Sequence, residues 1–341
     1  MIKYLLGAIL LVKGFIGEGQ TFAKKVGDIV GNQTVIMVDI APAGYPQAQA
    51  LLYLPDDYNL PKNATKTYPL AVFSNGVGEG KGWDISILCN QSLPKFLKSG
   101  YKPYGFDKNG DTVKFIVVSP FAANTGYTYT FPQLQYTLPY ILSKYRIDTS
   151  CIVFTGLSAG AGAATSMIMG NGGAPSYKDS LITRKVKVIM PMAGYGYDQN
   201  FDVKIMKALL DTNLRRGVFV HAIIGDMDQG YNDLGFKRYA KEDSLFGIQG
   251  HYFHKVMPGL SHEAKVWEAP FAAISPFDAT GKMNIWTQVW NETRSATSQT
   301  PPIITPPPVT TPPTTNPPIP YPVRIIVKMS DSSCNVIYTR P

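Results

Sequence analysis

Apolar positions along the chain fall into two kinds of pattern. Residues 34–39 and 48–54 alternate apolar and polar positions, as expected of two paired strands early in the chain. Residues 70–73, 115–119, 152–155, 186–190, 218–224 and 252–257 are short, continuously apolar and mostly β-branched or aromatic. Such runs suit strands covered on both faces. Between them, residues 134–145, 160–169, 203–215 and 233–241 carry helical periodicity. Strands alternating with helices predict an α/β layered fold with a mostly parallel central sheet.

The pattern breaks at both ends. Residues 1–23 hold Lys3, an apolar run over 5–12 and a small-residue exit near Thr21, Phe22 and Ala23. This is the form of a secretory signal, and the run is far shorter than the roughly 20 residues that span a bilayer. The expected product is secreted, with no stable membrane anchor. Residues 24–297 make up the expected catalytic domain. Over 298–320 Pro and Thr dominate, as in TPPIITPPPVTTPPTTNPPIP, which predicts an extended linker. Residues 321–341 read as two strands around a Ser/Asp turn, too short to fold alone. A remnant of a further module, a sorting tag and a hairpin docked on the main domain all fit that segment.

Composition narrows the function classes. The chain has 341 residues, 45% hydrophobic and 16% charged, with a net charge of +8. The positive charge is spread out, with no Lys/Arg run or RNA-binding motif, so a nucleic-acid partner is not expected. Cys89, Cys151 and Cys334 make no disulfide framework. Cys151, in an apolar run, is expected to be buried, and spacing does not decide whether Cys89 and Cys334 pair. Asn32, Asn63, Asn90 and Asn291 lie in N-x-[ST] sequons.

The chemistry concentrates in a few stretches. NGVGEGKGW, residues 75–83, looks first like a phosphate loop, but Lys81 is followed by glycine rather than Ser or Thr. Its glycines instead allow close main-chain approach to a substrate oxygen. TGLSAG, residues 155–160, carries G-x-S-x-G between an apolar strand and an Ala/Gly-rich helix. That context is a nucleophile elbow, with Ser158 exposed on a sharp turn. An activated serine requires a base and an orienting carboxylate. Of the four histidines, His221, His251 and His254 lie in or beside strands, whereas His262 follows the last strand in a loop. His262 is therefore the expected base. The acid lies in GDMDQG: Asp228 is favoured and Asp226 is the alternate. The amide of Ala159 and one from Val77 or Gly76 would hold the oxyanion. Glu79 either braces that loop or is solvated. Trp83, Tyr127, Tyr129 and Trp267 are candidate walls of a substrate cleft. Neither a cofactor nor a catalytic metal is implied, because zinc spacings are missing and the DMDQG stretch lacks EF-hand ligands.

With these residues in place the chain resembles the α/β-hydrolase superfamily, a three-layer sandwich. More narrowly it is similar to secreted esterases grouped with polyhydroxybutyrate depolymerases, feruloyl and acetyl-xylan esterases and proteins labelled peptidases. The resemblance rests on LLYLPDDY, YPLAVFSNGVGEG, FIVVSP, YILSKYRIDTSCIVFTGLSAGAGAA, HAIIGDMD and PGLSHEAKVW. It implies Ser158 as nucleophile, Asp228 as acid, His262 as base, and Gly76 with Val77 in the oxyanion loop. Two positions depart from it: Asn75 stands where the family usually has His, and Ala161 where a second glycine is common. The implied reaction is ester hydrolysis on an esterified plant polysaccharide or another insoluble polymer. A polyester depolymerase shares every catalytic residue. A binding module on the same fold is the reading from another class, and it expects a damaged triad.

Overall fold

The computed structural model describes residues 22–38, 48–121, 131–169, 185–194, 218–228, 252–298, 325–330 and 333–338. The helices expected at 203–215 and 233–241 lie outside these residues. The chain divides into two compact units, residues 1–300 and 301–341. In the second, β12 (Ile325–Ser330) and β13 (Ser333–Tyr338) form an antiparallel hairpin, with Ile325 opposite Tyr338.

The first unit is built on one nine-stranded sheet. Its strands are β1 (Ile29–Val30), β2 (Gln33–Val38), β3 (Ala48–Tyr53), β4 (Tyr68–Ser74), β7 (Ile116–Pro120), β8 (Ile147–Leu157), β9 (Val188–Met192), β10 (Phe219–Gly225) and β11 (Tyr252–Met257). A side hairpin joins β5 (Tyr104–Phe106) to β6 (Thr112–Lys114). The sheet order is β1-β2-β3-β7-β4-β8-β9-β10-β11. The first four are antiparallel neighbours, and every pair from β7 to β11 is parallel.

Successive residues of a strand face opposite sides, and the two halves of the core follow that rule. Leu70, Val72, Ile152, Phe154, Val220 and Ala222 face one side, covered by Leu138 and Ile141 of α2 (Phe131–Lys144) and Ala163 and Ala164 of α3 (Ala159–Met169). Ala71, Phe73, Val153, Met190 and Ile223 face the other. That side is covered by Leu93 and Leu97 of α1 (Ser92–Lys98), Val266 of α4 (Ala264–Glu268) and Ile285, Trp286 and Val289 of α5 (Ile285–Ser298). Helices on both faces of a mostly parallel sheet make the three layers of an α/β-hydrolase fold.

Several boundaries differ from the sequence reading. The run at 186–190 pairs as Val188–Met192, because β9 follows the register of β8 with Val153 opposite Val188 and Leu157 opposite Met192. The reading also lacked α1, α5 and the β5–β6 hairpin. In α5, Thr, Ser and Asn are weak helix formers, and burial of its apolar face supplies what propensity does not. Phe22 stacks edge-on against Trp83, and the Ala23 amide donates to the Trp83 carbonyl at 3.1 Å. The chain thus joins the domain within the last residues of the stretch read as an export signal. Among the described residues, no helix is long and apolar enough to cross a membrane.

Candidate active site

Parallel strands bring their carboxyl ends to one edge of the sheet, where open α/β sheets place their sites. Ser158 follows β8, Asp228 follows β10 and His262 follows β11. Ser158 begins the turn into α3 with φ +54°, the left-handed region that side chains rarely adopt. Its amide donates to the Met192 carbonyl at 2.9 Å. Glycines make the turn possible. A Cβ on Gly160 would lie 2.1 Å from the Ser74 carbonyl oxygen, and one on Gly156 would lie 2.3 Å from the Gly160 carbonyl oxygen.

The structure brings the three residues into one hydrogen-bonded line. His262 Nδ1 lies 2.7 Å from Asp228 Oδ2, and His262 Nε2 lies 2.9 Å from Ser158 Oγ. With Nδ1–H donating to the carboxylate, the Nε2 lone pair faces the serine hydroxyl. Asp228 is buried, at 1% exposure, while the His262 side chain is 36% exposed. The carboxylate is therefore shielded while the imidazole is partly open to solvent. Asp226, the alternate acid, accepts instead from the Gly259 amide at 2.8 Å and braces the turn before His262. The acid and base loops are stitched together by main chain: Asp226 N–H donates to the Met257 carbonyl and Met227 N–H to that of Leu260.

The glycine-rich turn lies against Ser158. A Cβ on Gly76 would fall 3.4 Å from Ser158 Cβ, 2.7 Å from Leu157 Cδ1 and 2.9 Å from Glu79 Oε2. Val77, 41% exposed, opens the short helical turn Gly78–Gly80. Ala159 is the first residue of α3, so its N–H is among those that no intrahelical carbonyl accepts. Both departures from the family pattern have a local explanation. Asn75 is fully buried and its Nδ2–H donates to the Gly76 carbonyl at 2.6 Å, fastening the turn from within. The Ala161 methyl occupies space that Gly194 leaves free, since a Cβ on Gly194 would lie 1.8 Å from it. Glu79 is not solvated: it is 8% exposed and buried in the turn.

The other sequence candidates separate. Trp267 is 7% exposed and packs edge-on to His262 at 5.3 Å. Trp83 packs against Phe22. Tyr127 and Tyr129 lie outside the described residues. His221 is buried in β10, stacked on Phe253, with Nε2 2.7 Å from Glu292 Oε2 of α5. It ties strand to helix. Cys89 and Cys151 are buried free thiols, and burial pushes the Cys151 thiol up to about 12. Among the described residues, no group of three or more His, Cys, Asp or Glu side chains is placed to hold a metal. The sequence reading missed the grip on Trp267. The Trp267 indole N–H donates to Gln91 Oε1 at 3.0 Å, and Ser92 Oγ–H donates to the Trp267 carbonyl at 2.9 Å.

No family model matches the chain, and no curated protein matches it in sequence. Solved structures resemble it weakly. An S-formylglutathione hydrolase from Staphylococcus aureus is 13% identical, with 80% of this chain and 98% of that one covered at a TM-score of 0.45. A serine-to-alanine variant of the feruloyl esterase module from Clostridium thermocellum, complexed with sinapinate, is 17% identical. That match covers 73% of this chain and 88% of the module at a TM-score of 0.46. Esterase 2 from Thermogutta terrifontis, phosphoramylated by tabun, is 10% identical, covering 80% and 96% at a TM-score of 0.46. At this level of likeness the chemistry of the site rests on its own geometry.

Proposed function

We propose that the chain is an exported serine carboxylic-ester hydrolase acting on feruloyl or acetyl esters of a plant polysaccharide. The observation that carries the chemistry is the line Asp228–His262–Ser158, with the serine held on a left-handed turn. In the proposed reaction His262 Nε2 takes the Ser158 proton as Oγ adds to the ester carbonyl carbon. The carbonyl π pair moves to oxygen, where the amides of Ala159 and of Gly76 or Val77 receive it. Collapse breaks the bond to the alcohol, which leaves with the proton from His262. Water, deprotonated by His262, then adds to the acyl group, releases the acid and restores Ser158. Asp228 keeps the imidazole in the required tautomer and offsets its transient positive charge.

A polymeric substrate is favoured by the export-like start and the Pro/Thr-rich stretch at 298–320. The binding-module reading expects a damaged relay, and the distances above argue against it. The test is fluorophosphonate labelling of the full chain with peptide mapping. A single adduct on Ser158 is expected, lost in Ser158→Ala and in His262→Ala. On an activated ester, Ser158→Ala should lower kcat about 10⁵- to 10⁶-fold and Asp228→Asn about 10⁴-fold. No adduct on folded wild-type protein would overturn the hydrolase reading. Turnover of polyhydroxybutyrate film, with none of acetylated or feruloylated xylan, would overturn the substrate assignment alone.

A further inference from the structure

Among the described residues, three that are not glycine have a positive φ: Ser158 at +54°, Ala193 at +45° and Ser92 at +50°. Strained backbone of this kind persists only where its surroundings impose it, and it gathers at functional sites. Ser158 and Ala193 belong to one knot, since Ser158 N–H donates to the carbonyl of Met192, the residue before Ala193. Ser92 stands far from them in sequence, at the first position of α1, and is fully buried.

What Ser92 and its neighbours hold is the segment behind the base. Ser92 Oγ–H donates to the Trp267 carbonyl at 2.9 Å. Gln91 Oε1 accepts the Trp267 indole N–H at 3.0 Å. One turn on, Lys95 Nζ pairs with Glu268 Oε1 at 2.8 Å. Trp267 is thus pinned at its main chain and at the N–H of its indole ring. That ring meets the His262 imidazole edge-on, with centroids 5.3 Å apart and planes at 64°. Asp228 and Ser158 meet the two ring nitrogens of His262, and the Trp267 ring packs against the same imidazole. The His262 side chain is 36% exposed and Trp267 only 7%, so the tryptophan is one of the buried groups that flank the imidazole.

We infer that Gln91 and Ser92 are positioning residues for the base, acting through Trp267 to hold His262 Nε2 on Ser158. The inference rests on the hydrolase reading above. It locates a determinant of the rate in a helix start that supplies no group to the reacting atoms.

The test is a double-mutant cycle on the full chain with Gln91→Leu, which removes the acceptor, and Trp267→Phe, which removes the donor and keeps a ring. The rate of fluorophosphonate acylation is followed alongside kcat and KM on p-nitrophenyl acetate, with thermal unfolding as control. Each single variant is expected to lower kcat and acylation about tenfold, with KM within about twofold. The double variant should be no worse than the worse single, because both break one bond. Gln91→Glu keeps an acceptor and should hold kcat within about threefold of wild type. Wild-type rates in Gln91→Leu, or losses that multiply to about a hundredfold in the double variant, would overturn the inference while leaving the hydrolase reading intact. A Gln91→Glu variant as slow as Gln91→Leu would also overturn it. Failure of wild-type protein to acylate overturns both.

Discussion

Ser158 and His262 reach the same few ångströms of space by different means. Ser158 is held by main chain: a left-handed turn, an amide bond to Met192, and glycines at 156, 160 and 194 that admit no Cβ. His262 is held by side chains: Asp228 on one nitrogen and the ring of Trp267 on its flank, itself tied to Gln91 and Ser92. Main-chain crowding in a packed interior tolerates almost no displacement. A chain of side-chain hydrogen bonds can open one link at a time. The nucleophile arm should therefore fail as a whole, and the base arm by degrees.

The largest effect on that contrast is expected from Gly160→Ala. Its added methyl would lie 2.1 Å from the Ser74 carbonyl oxygen, at the end of β4, and 2.5 Å from that of Asn75, both on backbone. Relief requires β4 and α3 to separate. The expected cost is about 3 kcal/mol or more, read as a large fall in thermal midpoint or loss of soluble protein. Near-wild-type stability in this variant would mean that the elbow has slack, and the two arms would no longer differ in kind.

The same contrast explains how much of the site was legible in the sequence. The elbow is local: strand, turn and helix follow one another over residues 147–169, so the motif and its context are read together. His262 was singled out by elimination among four histidines, and the structure places it after β11, between Asp228 and Ser158. Asp228 and Asp226 were hard to separate because both follow β10. What divides them is a contact with Gly259 on a different strand's loop, which no local pattern encodes. The grip on Trp267 was invisible for the same reason, since Gln91 and Trp267 lie 176 positions apart. Trp267 was read only as a candidate cleft wall, because its packing on His262 is a tertiary contact that no local pattern encodes. The sheet was legible from its apolar runs, whereas α5 was not, since its residues favour a helix only once Ile285, Trp286 and Val289 are buried.

A milder intervention asks whether the packing of the nucleophile arm can be exchanged. Gly194→Ala places a methyl 1.8 Å from the Ala161 methyl, and Ala161→Gly removes that obstacle. Two closer-fixed neighbours remain, the Ser158 carbonyl oxygen at 2.7 Å and the Ala161 Cα at 3.1 Å. Gly194→Ala alone is expected to cost about 1–3 kcal/mol, and the double variant to recover about half of it, measured by chemical denaturation. Complete recovery would show that only the two methyls compete. No recovery would place the constraint on the main chain of Ser158 itself.

The smallest perturbation uses the protein's own thiols as reporters, one on each arm. Cys151 lies within β8, the strand that ends at Ser158, and burial raises its thiol to about 12. Cys89 lies two residues before Gln91, and burial raises its thiol as well. A raised thiol value means that both are protonated near pH 8. For Cys151 the reactive thiolate is then about one part in 10⁴ even before access is considered. Labelling of either therefore reports opening of the structure around it. In a Cys334→Ser background, with a maleimide at pH 8 and no denaturant, Cys89 is expected to react first, because the arm it reports on is held by separable side-chain bonds. Gln91→Leu should quicken Cys89 and leave Cys151 unchanged. If Cys151 reacts first, or if Gln91→Leu quickens both equally, the two arms open as one unit, and the rigidity ascribed to the elbow belongs to the whole carboxyl edge of the sheet.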